Sequence, residues 1–408
     1  MNTKIVSIIL FFIICATQLY SQTIETLYHD ANYRNDSWSQ NKLGSCYENG
    51  EGVSKDLKTA FSWYMKAANN NYNYGQYNVA RFYENGYSVK KNINLALQYY
   101  QKAAANYHSY SCLTLGKWYL NGINVTSNNY TAYNYFKDAA FTGDTEAKYY
   151  MGYCHTYGYG AKQDSARALL WLNRAIDDQY YFAYYLKGYI YQNGICVEKN
   201  ETAARIYYQL GSDKGDSDCS NAAGLCYFYG NGTEPDTLKA IEYFEKSANQ
   251  GNINGQINIA FRYIFGQGVP VDYKKAEYWL KQPSLNNNPD SFDGLLLIYH
   301  NTKDYESLYD LSVRGAKMNH ISSINMLAYC YAYGYGTKVD FKKALSTIDK
   351  AITLAPENPN YYDSKGEIYL QKGEIKQAEE MWQYVQRMDP IYYDDSNSVL
   401  NKYFIAHQ

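Results

Sequence analysis

The chain has 408 residues, which is more than one ordinary hydrophobic core accommodates, so it should form several domains or a repeat array in which each unit packs on its neighbours. Its formal net charge of −2 gives no overall attraction to nucleic acid or to an anionic membrane, and its six histidines form no cluster with metal-ligand spacing. Tyrosine is unusually frequent, with 51 tyrosines against 14 phenylalanines; its large ring and polar hydroxyl group suit both half-buried helix packing and recognition surfaces.

The first residues have the organisation of a secretory signal peptide. Lys4 is followed by an apolar run from Ile5 to Ala16 and then by a short stretch that ends at Ser21. The apolar run is shorter than the roughly 20 residues that a membrane-spanning helix needs. We therefore predict a signal peptide over residues 1–21, with cleavage after Ser21, and an exported protein.

Cys15 raises an alternative, in which a cysteine within this segment becomes lipidated. Ile14 argues against it, because lipoprotein signals carry a small residue immediately before the modified cysteine. Residues 22–35 are predicted to form a lead-in to the rest of the chain. No later segment is apolar enough to span a membrane.

An internal period of 36 residues governs most of the remaining sequence. Alanine recurs at seven positions with this spacing: Ala60, Ala96, Ala132, Ala168, Ala204, Ala240 and Ala276. An aromatic residue follows each alanine by three positions: Trp63, Tyr99, Tyr135, Trp171, Tyr207, Tyr243 and Trp279. An aspartate or asparagine precedes each alanine by four: Asp56, Asn92, Asn128, Asp164, Asn200, Asp236 and Asp272. A small residue stands further upstream in each unit: Gly44, Ala80, Gly116, Gly152, Gly188, Gly224 and Ala260.

These columns predict two helices in each 36-residue unit. The aspartate or asparagine is a helix N-cap, because its side chain accepts hydrogen bonds from backbone N–H groups two or three residues later. The alanine and the aromatic residue share one face of the helix that follows. The small residue allows a preceding helix to cross closely. A turn such as Asn49–Gly52 separates the two helices, and its first glycine suits a left-handed helix end.

The stretch from Leu43 to Val53, followed by Asp56, Ala60 and Trp63, resembles the Sel-1-like repeat, a relative of the tetratricopeptide repeat. The resemblance extends over roughly residues 36–355. It implies an all-α fold, a right-handed α-solenoid (superhelix) of about nine helix–turn–helix repeats, with a C-terminal tetratricopeptide-like unit. Each repeat then contributes a helix A and a helix B.

The repeats predict the domain organisation. Residues 36–281 form repeats 1 to 7, and residues 282–326 form an irregular, shortened repeat at which we expect a kink. Residues 327–355 form another Sel-1-like repeat, residues 356–390 form a tetratricopeptide-like repeat, and residues 391–408 form a tail. In the irregular segment, Pro283 should end helix B of repeat 7 early, and the unit that follows lacks the glycine turn.

The cysteines predict buried free thiols. Cys46, Cys154 and Cys226 share one repeat position with Cys330, and equivalent positions in non-adjacent repeats lie beyond disulfide reach. Some Sel-1-like proteins carry one disulfide in each repeat, but the paired cysteines of that arrangement are not present here. The sequence assigns no disulfide partner to Cys112 or Cys196.

The sequence contains no pattern that requires catalysis. No residues are spaced as metal ligands, and the Gly-x-Gly turns recur in several repeats, which indicates a structural role. Some Sel-1-like proteins have been linked to β-lactam binding or hydrolysis. Ser-x-x-Lys occurs at Ser39–Lys42 and at Ser88–Lys91, but no Lys-Thr-Gly accompanies it. We predict that the protein is not an enzyme and takes no metal or other cofactor.

In related repeats, helix A lines the concave groove, and three columns of helix A are predicted to face outward. The first column is Asn41, Tyr77, Leu113, Tyr149, Tyr185, Asn221 and Ile257. The second column is Ser45, Arg81, Lys117, Tyr153, Tyr189, Leu225 and Phe261. The third column is Asn49, Asn85, Asn121, Tyr157, Asn193, Tyr229 and Phe265, and Tyr329 and Tyr333 continue the pattern later in the chain.

Aromatic residues in these columns have two interpretations. Any single ring could simply pack against the neighbouring helix A, whereas the set as a whole indicates a recognition surface, because a solvent-lined groove normally carries more charge. The predicted partner-binding residues are Tyr77, Tyr149, Tyr153, Tyr157, Tyr185, Tyr189, Tyr229, Phe261 and Phe265. Rings with hydroxyl and amide groups suit an extended peptide or a glycan and do not suit an acidic peptide, which requires lysine and arginine.

The sequence therefore predicts a non-enzymatic protein–protein interaction scaffold of the cell envelope, placed in the periplasm. Its partner would be a protein or peptide, and it would bind no nucleic acid and have no transmembrane segment. Two alternatives remain: a receptor for glycans or the cell wall, and a secreted factor that interacts with a host.

Overall fold

The computed structural model describes residues 24–282, 287–390 and 392, and all regular secondary structure within them is helical. The predicted signal peptide, its cleavage site, Cys15, Pro283 and all of the predicted tail except residue 392 lie outside the described residues. The chain divides into two units, Met1–Lys214 and Gly215–Gln408, which we call unit 1 and unit 2. Each is an array of helical hairpins, which confirms the prediction of an all-α repeat fold.

Unit 1 contains a first helix and five hairpins. Its helices are α1 (24–33), α2 (Ser37–Asn49), α3 (Leu57–Asn69), α4 (Asn73–Asn85), α5 (Ile93–Ala105), α6 (Ser109–Asn121), α7 (Asn129–Phe141), α8 (Thr145–Tyr157), α9 (Ser165–Asp177), α10 (Ala183–Asn193) and α11 (Glu201–Asp213). From α2 onward, each even-numbered helix is a helix A and packs against the helix B that follows it.

Unit 2 also contains five hairpins. Its helices are α12 (Ser217–Tyr229), α13 (Thr237–Asn249), α14 (Ile253–Phe265), α15 (Tyr273–Leu280), α16 (Pro289–Thr302), α17 (Tyr305–Lys317), α18 (Ile321–Tyr333), α19 (Phe341–Leu354), α20 (Pro359–Lys372) and α21 (Ile375–Met388). The irregular repeat is the hairpin α16–α17, where Lys303 takes the left-handed conformation (φ 59°) that glycine takes elsewhere. Helix α15 has only 8 residues, whereas α13 has 13.

The helix ends are set by the predicted capping residues. Asp56 accepts hydrogen bonds from the backbone N–H groups of Lys58 and Thr59, and the equivalent residue begins helix B in each of the next six repeats. At the other end of the hairpin turn, Gly50 ends α2 with φ 79° and donates its N–H to the carbonyl oxygen of Cys46 over 2.8 Å. The column of aspartate and asparagine residues is thereby confirmed as a column of N-caps.

The core of each hairpin forms where helix B crosses the small residue of helix A. All seven column alanines are fully buried, and a Cβ atom added to Gly44 would lie 2.5 Å from Cδ1 of Tyr64. The deepest side chain of helix B is therefore four residues after each alanine, not three as the aromatic column suggested. These core residues are Tyr64, Tyr100, Phe136, Leu172, Tyr208, Phe244 and Leu280. The aromatic residues at three positions after the alanine are half-buried, except Trp63.

Three of these core residues are tyrosines, and each of them finds an acceptor within its own hairpin. Their hydroxyl groups donate to side chains of the preceding helix A: Tyr64 to Glu48 over 2.7 Å, Tyr100 to Glu84 over 2.6 Å, and Tyr208 to Gln192 over 2.6 Å. Where the core residue is phenylalanine or leucine, no glutamate or glutamine stands at the facing position, which is Leu120, Thr156, Phe228 or Ile264. A hydrogen bond thus closes each of the three hairpins that carry a tyrosine at this position.

The cysteines of the described residues are free. Six of them are buried, including those of the shared repeat position and the pair on α12, which confirms the prediction of buried thiols. Burial raises the pKa of Cys154 to about 12, so this thiol is neutral at physiological pH. Cys196 differs, because it lies exposed in the turn between α10 and α11.

No helix within the described ranges is both long enough and apolar enough to cross a lipid bilayer. In the same part of the chain, no group of three or more histidine, cysteine, aspartate or glutamate side chains is placed to hold a metal ion.

Candidate binding surface

The exposure of the three helix A columns increases from the first column to the third. First-column residues Leu113, Asn221 and Ile257 are buried, so the prediction that this column faces outward is wrong for them. The reason is that neighbouring A helices meet there: the Asn258 side chain donates to Oδ1 of Asn221 over 2.8 Å across α12 and α14. Second-column residues are half-buried, and the third column is exposed except at Tyr157.

The asparagines of the third column have a local role. The side-chain amides of Asn85, Asn121 and Asn193 each donate to the backbone carbonyl oxygen four residues earlier, over 2.9, 3.1 and 2.9 Å. These contacts stabilise the ends of the A helices, where carbonyl groups lack partners within the helix. The asparagine side chains are therefore committed to their own helices.

Six tyrosines of unit 1 form a continuous cluster of rings, which we call the tyrosine patch. Its members are Tyr149, Tyr153, Tyr157, Tyr159, Tyr180 and Tyr189. The ring centroids of Tyr153 and Tyr157 are 4.6 Å apart, and Tyr157 reaches Tyr189 on the next helix A at 6.2 Å. All six are half-buried. The patch thus joins the A helices of repeats 4 and 5, α8 and α10.

The hydrophobic core of repeats 4 and 5 supports the patch from beneath. Tyr149, Tyr153, Tyr157, Tyr180 and Tyr189 pack against buried residues of α9 and α10, including Leu172 and Ile190. Burial raises the pKa of Tyr157 to about 12 and also raises that of Tyr153, so both phenols stay neutral at physiological pH. Within the described residues, the hydroxyl groups of Tyr153 and Tyr159 have no hydrogen-bond partner, so they can bond to water or to a ligand.

The structure brings together only four of the nine residues that the sequence predicts for binding. Tyr149, Tyr153, Tyr157 and Tyr189 lie in the tyrosine patch. Tyr77 instead packs against the buried His108 ring, with a centroid distance of 4.6 Å, in a separate ring cluster of unit 1. Tyr185 is 39% exposed, but its ring packs 5.6 Å from that of the core residue Tyr208.

The other three predicted residues lie in unit 2. Tyr229 and Phe265 are 66% and 55% exposed at the ends of α12 and α14. The Phe261 ring is half-buried and stacks with the Phe265 ring at 5.9 Å. Whether any of the nine residues contacts a partner stays a prediction.

Two members of the tyrosine patch were missed from the sequence columns. Tyr159 lies in the turn after α8, where its ring is 5.9 Å from that of Tyr153. Tyr180 lies in the turn before α10, 5.4 Å from Tyr149. Both are aromatic residues in turns, one on each side of a tyrosine-rich helix. The helical columns do not include turn residues.

Comparison with known proteins identifies the family. The Sel1 repeat matches residues 39–72, 73–108, 109–140, 145–180, 182–216, 217–252, 253–282 and 321–346, which together make up more than half of the chain. The chain belongs to the Sel1 repeat family. The match passes over α16–α17, the hairpin without a glycine turn. Sel1 and tetratricopeptide repeat proteins are generally protein-interaction scaffolds and are typically non-enzymatic.

Solved structures with similar folds include two Sel1-type proteins. A Sel1 repeat protein from Oxalobacter formigenes is 25% identical, with a TM-score of 0.57, over 68% of this chain and 80% of that protein. The chain is also similar to c5321, a protective antigen of uropathogenic Escherichia coli with an SLR fold, at 22% identity and a TM-score of 0.49, over 93% of this chain and 90% of the antigen. Among curated proteins, none matches this chain.

Proposed function

We propose that this Sel1 repeat protein is a non-enzymatic binding scaffold of the cell envelope, which holds a protein partner on the tyrosine patch. The observation that supports this function is the continuous set of six half-buried rings from two adjacent A helices and their flanking turns. Tyrosine is enriched among the residues that contribute most to protein–protein binding, because it offers a large apolar ring and a hydrogen-bonding hydroxyl group.

The packing of the patch favours binding in a second way. Its rings already contact one another and the core beneath them, so a partner would immobilise few freely rotating side chains. None of its six side chains is charged, which suits an extended peptide segment whose backbone amides and apolar side chains meet the rings. The free hydroxyl groups of Tyr153 and Tyr159 would then bond to the backbone of the partner.

Site-specific photocrosslinking in the native cell tests this proposal. A benzophenone amino acid at position 159 should crosslink a distinct partner, whereas the same group at position 130 should not. Tyr130 is a suitable control because it is 68% exposed and makes no ring contact within the described residues. Equal crosslinking from both positions, or none from position 159 in a folded protein, would contradict a binding role for the patch.

A matched pair of double variants then tests affinity. Tyr153→Ser with Tyr159→Ser should abolish capture of the crosslinked partner, while Tyr107→Ser with Tyr130→Ser, at two exposed tyrosines outside the patch, should leave it unchanged. Quenching of the patch tyrosines by soluble cell-wall oligosaccharide, with no protein captured, would instead favour the glycan receptor.

The location of the protein belongs to the same proposal. With the predicted signal peptide removed after Ser21, the mature chain begins at Gln22 and acts in the periplasm. Cell fractionation with N-terminal sequencing tests this step. A cytoplasmic chain that retains Met1 would contradict export, and accumulation in the culture medium would favour the secreted, host-directed role.

A further inference from the structure

Unit 2 contains a cleft of about 400 Å³ beside the A helices α16, α18 and α20. Its lining residues are His300, Met326, Tyr329, Tyr333, Tyr335 and Glu367. The cleft lies in a different unit from the tyrosine patch. It also differs in composition, because an acidic side chain stands among its rings.

The aromatic side of the cleft is ordered by ring contacts. The Tyr329 and Tyr333 centroids are 5.9 Å apart on α18, and Tyr333 is 5.5 Å from Tyr335 in the following turn. Tyr335 in turn stacks on Tyr305 of α17, with centroids 4.3 Å apart and an interplanar angle of 9°. The rings that line the cleft are therefore held in position before any ligand arrives.

The Glu367 carboxylate is half-buried and lacks a basic partner. Oε2 accepts a hydrogen bond from the Tyr329 hydroxyl group over 2.6 Å. Within the described residues, no lysine, arginine or histidine nitrogen lies within the 4.0 Å of an ion pair with Glu367. Lys365, two residues away on α20, pairs with Asp349 over 2.7 Å instead. Burial, and then the negative charge of Asp363, raise the pKa of Glu367.

We propose that this cleft binds the cationic side chain of a lysine or arginine in a partner peptide. The ammonium or guanidinium group lies against the tyrosine ring faces and pairs with the Glu367 carboxylate. Only an organic cation uses all of these features. A carboxylate or phosphate would be repelled by Glu367 and Asp363, and an uncharged apolar group would leave the Glu367 charge without a cationic partner.

Titration of the full-length mature protein with four peptides tests this proposal. They are acetylated and amidated Gly-Ser heptapeptides whose central residue is lysine, arginine, norleucine or glutamate. Isothermal titration calorimetry measures their binding. The lysine and arginine peptides should bind, the norleucine peptide should bind at least about tenfold more weakly, and the glutamate peptide should not bind. Equal binding of all four, or binding of none, overturns the proposal. If N-acetyl-lysine amide binds as tightly as the lysine peptide, the claim that the ligand is a peptide is overturned.

A charge-removing variant distinguishes a binding role of Glu367 from a structural one. Glu367→Gln keeps an acceptor for Tyr329 but removes the unpaired charge, so affinity for the lysine peptide should fall about tenfold or more while the melting temperature stays equal or rises. Glu380→Gln removes the same charge from an exposed position of the same hairpin and should change neither. Unchanged affinity in a folded Glu367→Gln variant overturns the proposal.

A second variant keeps the test decisive if Glu367→Gln fails to fold. Tyr333→Leu preserves apolar bulk and removes only the π face, so the lysine peptide should bind roughly threefold more weakly or worse, and the norleucine peptide should be unaffected. Equal losses for both peptides would overturn the role of the rings. Tyr153→Ser with Tyr159→Ser should leave peptide titration unchanged, so failure of this proposal and failure of the tyrosine patch are separately visible.

Discussion

In unit 1, an ion pair joins the A helices of repeats 1 and 2, whereas aromatic rings join those of repeats 4 and 5. In the first pair, Arg81 on α4 contacts Glu48 on α2, with 2.6 Å between Nη2 and Oε2, and the Tyr64 hydroxyl group donates to the same carboxylate. In the second pair, the position equivalent to Arg81 is Tyr189, and rings of the tyrosine patch join the two helices.

The difference separates what the repeat provides from what its residues provide. Arg81 and Tyr189 occupy the same position of the same fold, yet Arg81 is engaged by a charged partner within the protein, whereas the patch keeps ring faces and two free hydroxyl groups. The repeat therefore sets where a side chain lies, and the residue type decides whether that place is internally satisfied or open to a ligand.

The feature common to both regions should be the most sensitive to substitution. Ala168→Asp places a carboxylate on α9 at a fully buried position of the alanine column, where water does not reach, so we expect a loss of about 3–5 kcal/mol in the free energy of unfolding. Thermal melting followed by circular dichroism measures it. Ala166→Asp, two residues earlier and exposed, should melt like the wild type, and similar melting of the two variants would show that the repeat register is wrong.

The ion-paired region should carry a pH dependence that the tyrosine patch lacks. Burial would raise the pKa of Glu48, but hydrogen bonds from Arg81 and Tyr64 outweigh it and hold the pKa below 4.5. A lowered pKa in the folded state contributes stability that is complete above pH 4.5 and is lost as the pH falls through the folded-state value.

Chemical denaturation of Glu48→Gln measures this contribution. The variant should lose about 1 kcal/mol at pH 7, and the difference from the wild type should shrink below pH 4.5. Glu51→Gln is the control, because Glu51 is exposed and its contact with Lys42 is 3.6 Å long. A difference that stays constant from pH 7 to pH 3 would show that Glu48 is not held ionised by its partners.

The change in stability expected in the tyrosine patch itself is far smaller than that of Ala168→Asp. Tyr153→Ser with Tyr159→Ser removes two half-buried rings whose hydroxyl groups have no protein partner, so the array should stay folded with a loss of about 1–2 kcal/mol. Differential scanning calorimetry beside the Tyr107→Ser and Tyr130→Ser control would measure it. A loss as large as that of Ala168→Asp would mean that the patch is core and that the contrast between the two regions is false.

Local requirements of the backbone made part of this fold predictable. A helix B must start at a residue that caps its free N–H groups, and a glycine suits the left-handed end of a helix A, so Asp56 and Gly50 could be placed from the sequence. The alanine column followed from the 36-residue period in the same way.

The features that could not be predicted from the sequence depend on how the helices cross. Positions three and four residues after an alanine both lie on its face, so periodicity alone cannot tell that Tyr64 and not Trp63 meets Gly44. Similarly, Leu113 is buried in a hydrophobic core that includes residues of other helices, and the sequence of its own helix does not specify those contacts. Four of the six residues in the tyrosine patch were predicted from the helix A columns, and the other two were missed because they lie in turns.

The position of the hydrogen bond between Tyr64 and Glu48 has a consequence for the duplication of repeats. Donor and acceptor lie 16 residues apart in one hairpin, as do Tyr100 with Glu84 and Tyr208 with Gln192, so a copied or deleted unit carries both halves together. The contact that distinguishes a polar hairpin interior from an apolar one therefore lies within a single 36-residue repeat. Adding or removing a 36-residue repeat would therefore keep these hydrogen bonds, whereas core contacts between repeats, such as the Phe136 ring stacked on Tyr150 at 4.5 Å, would change with the neighbouring repeat.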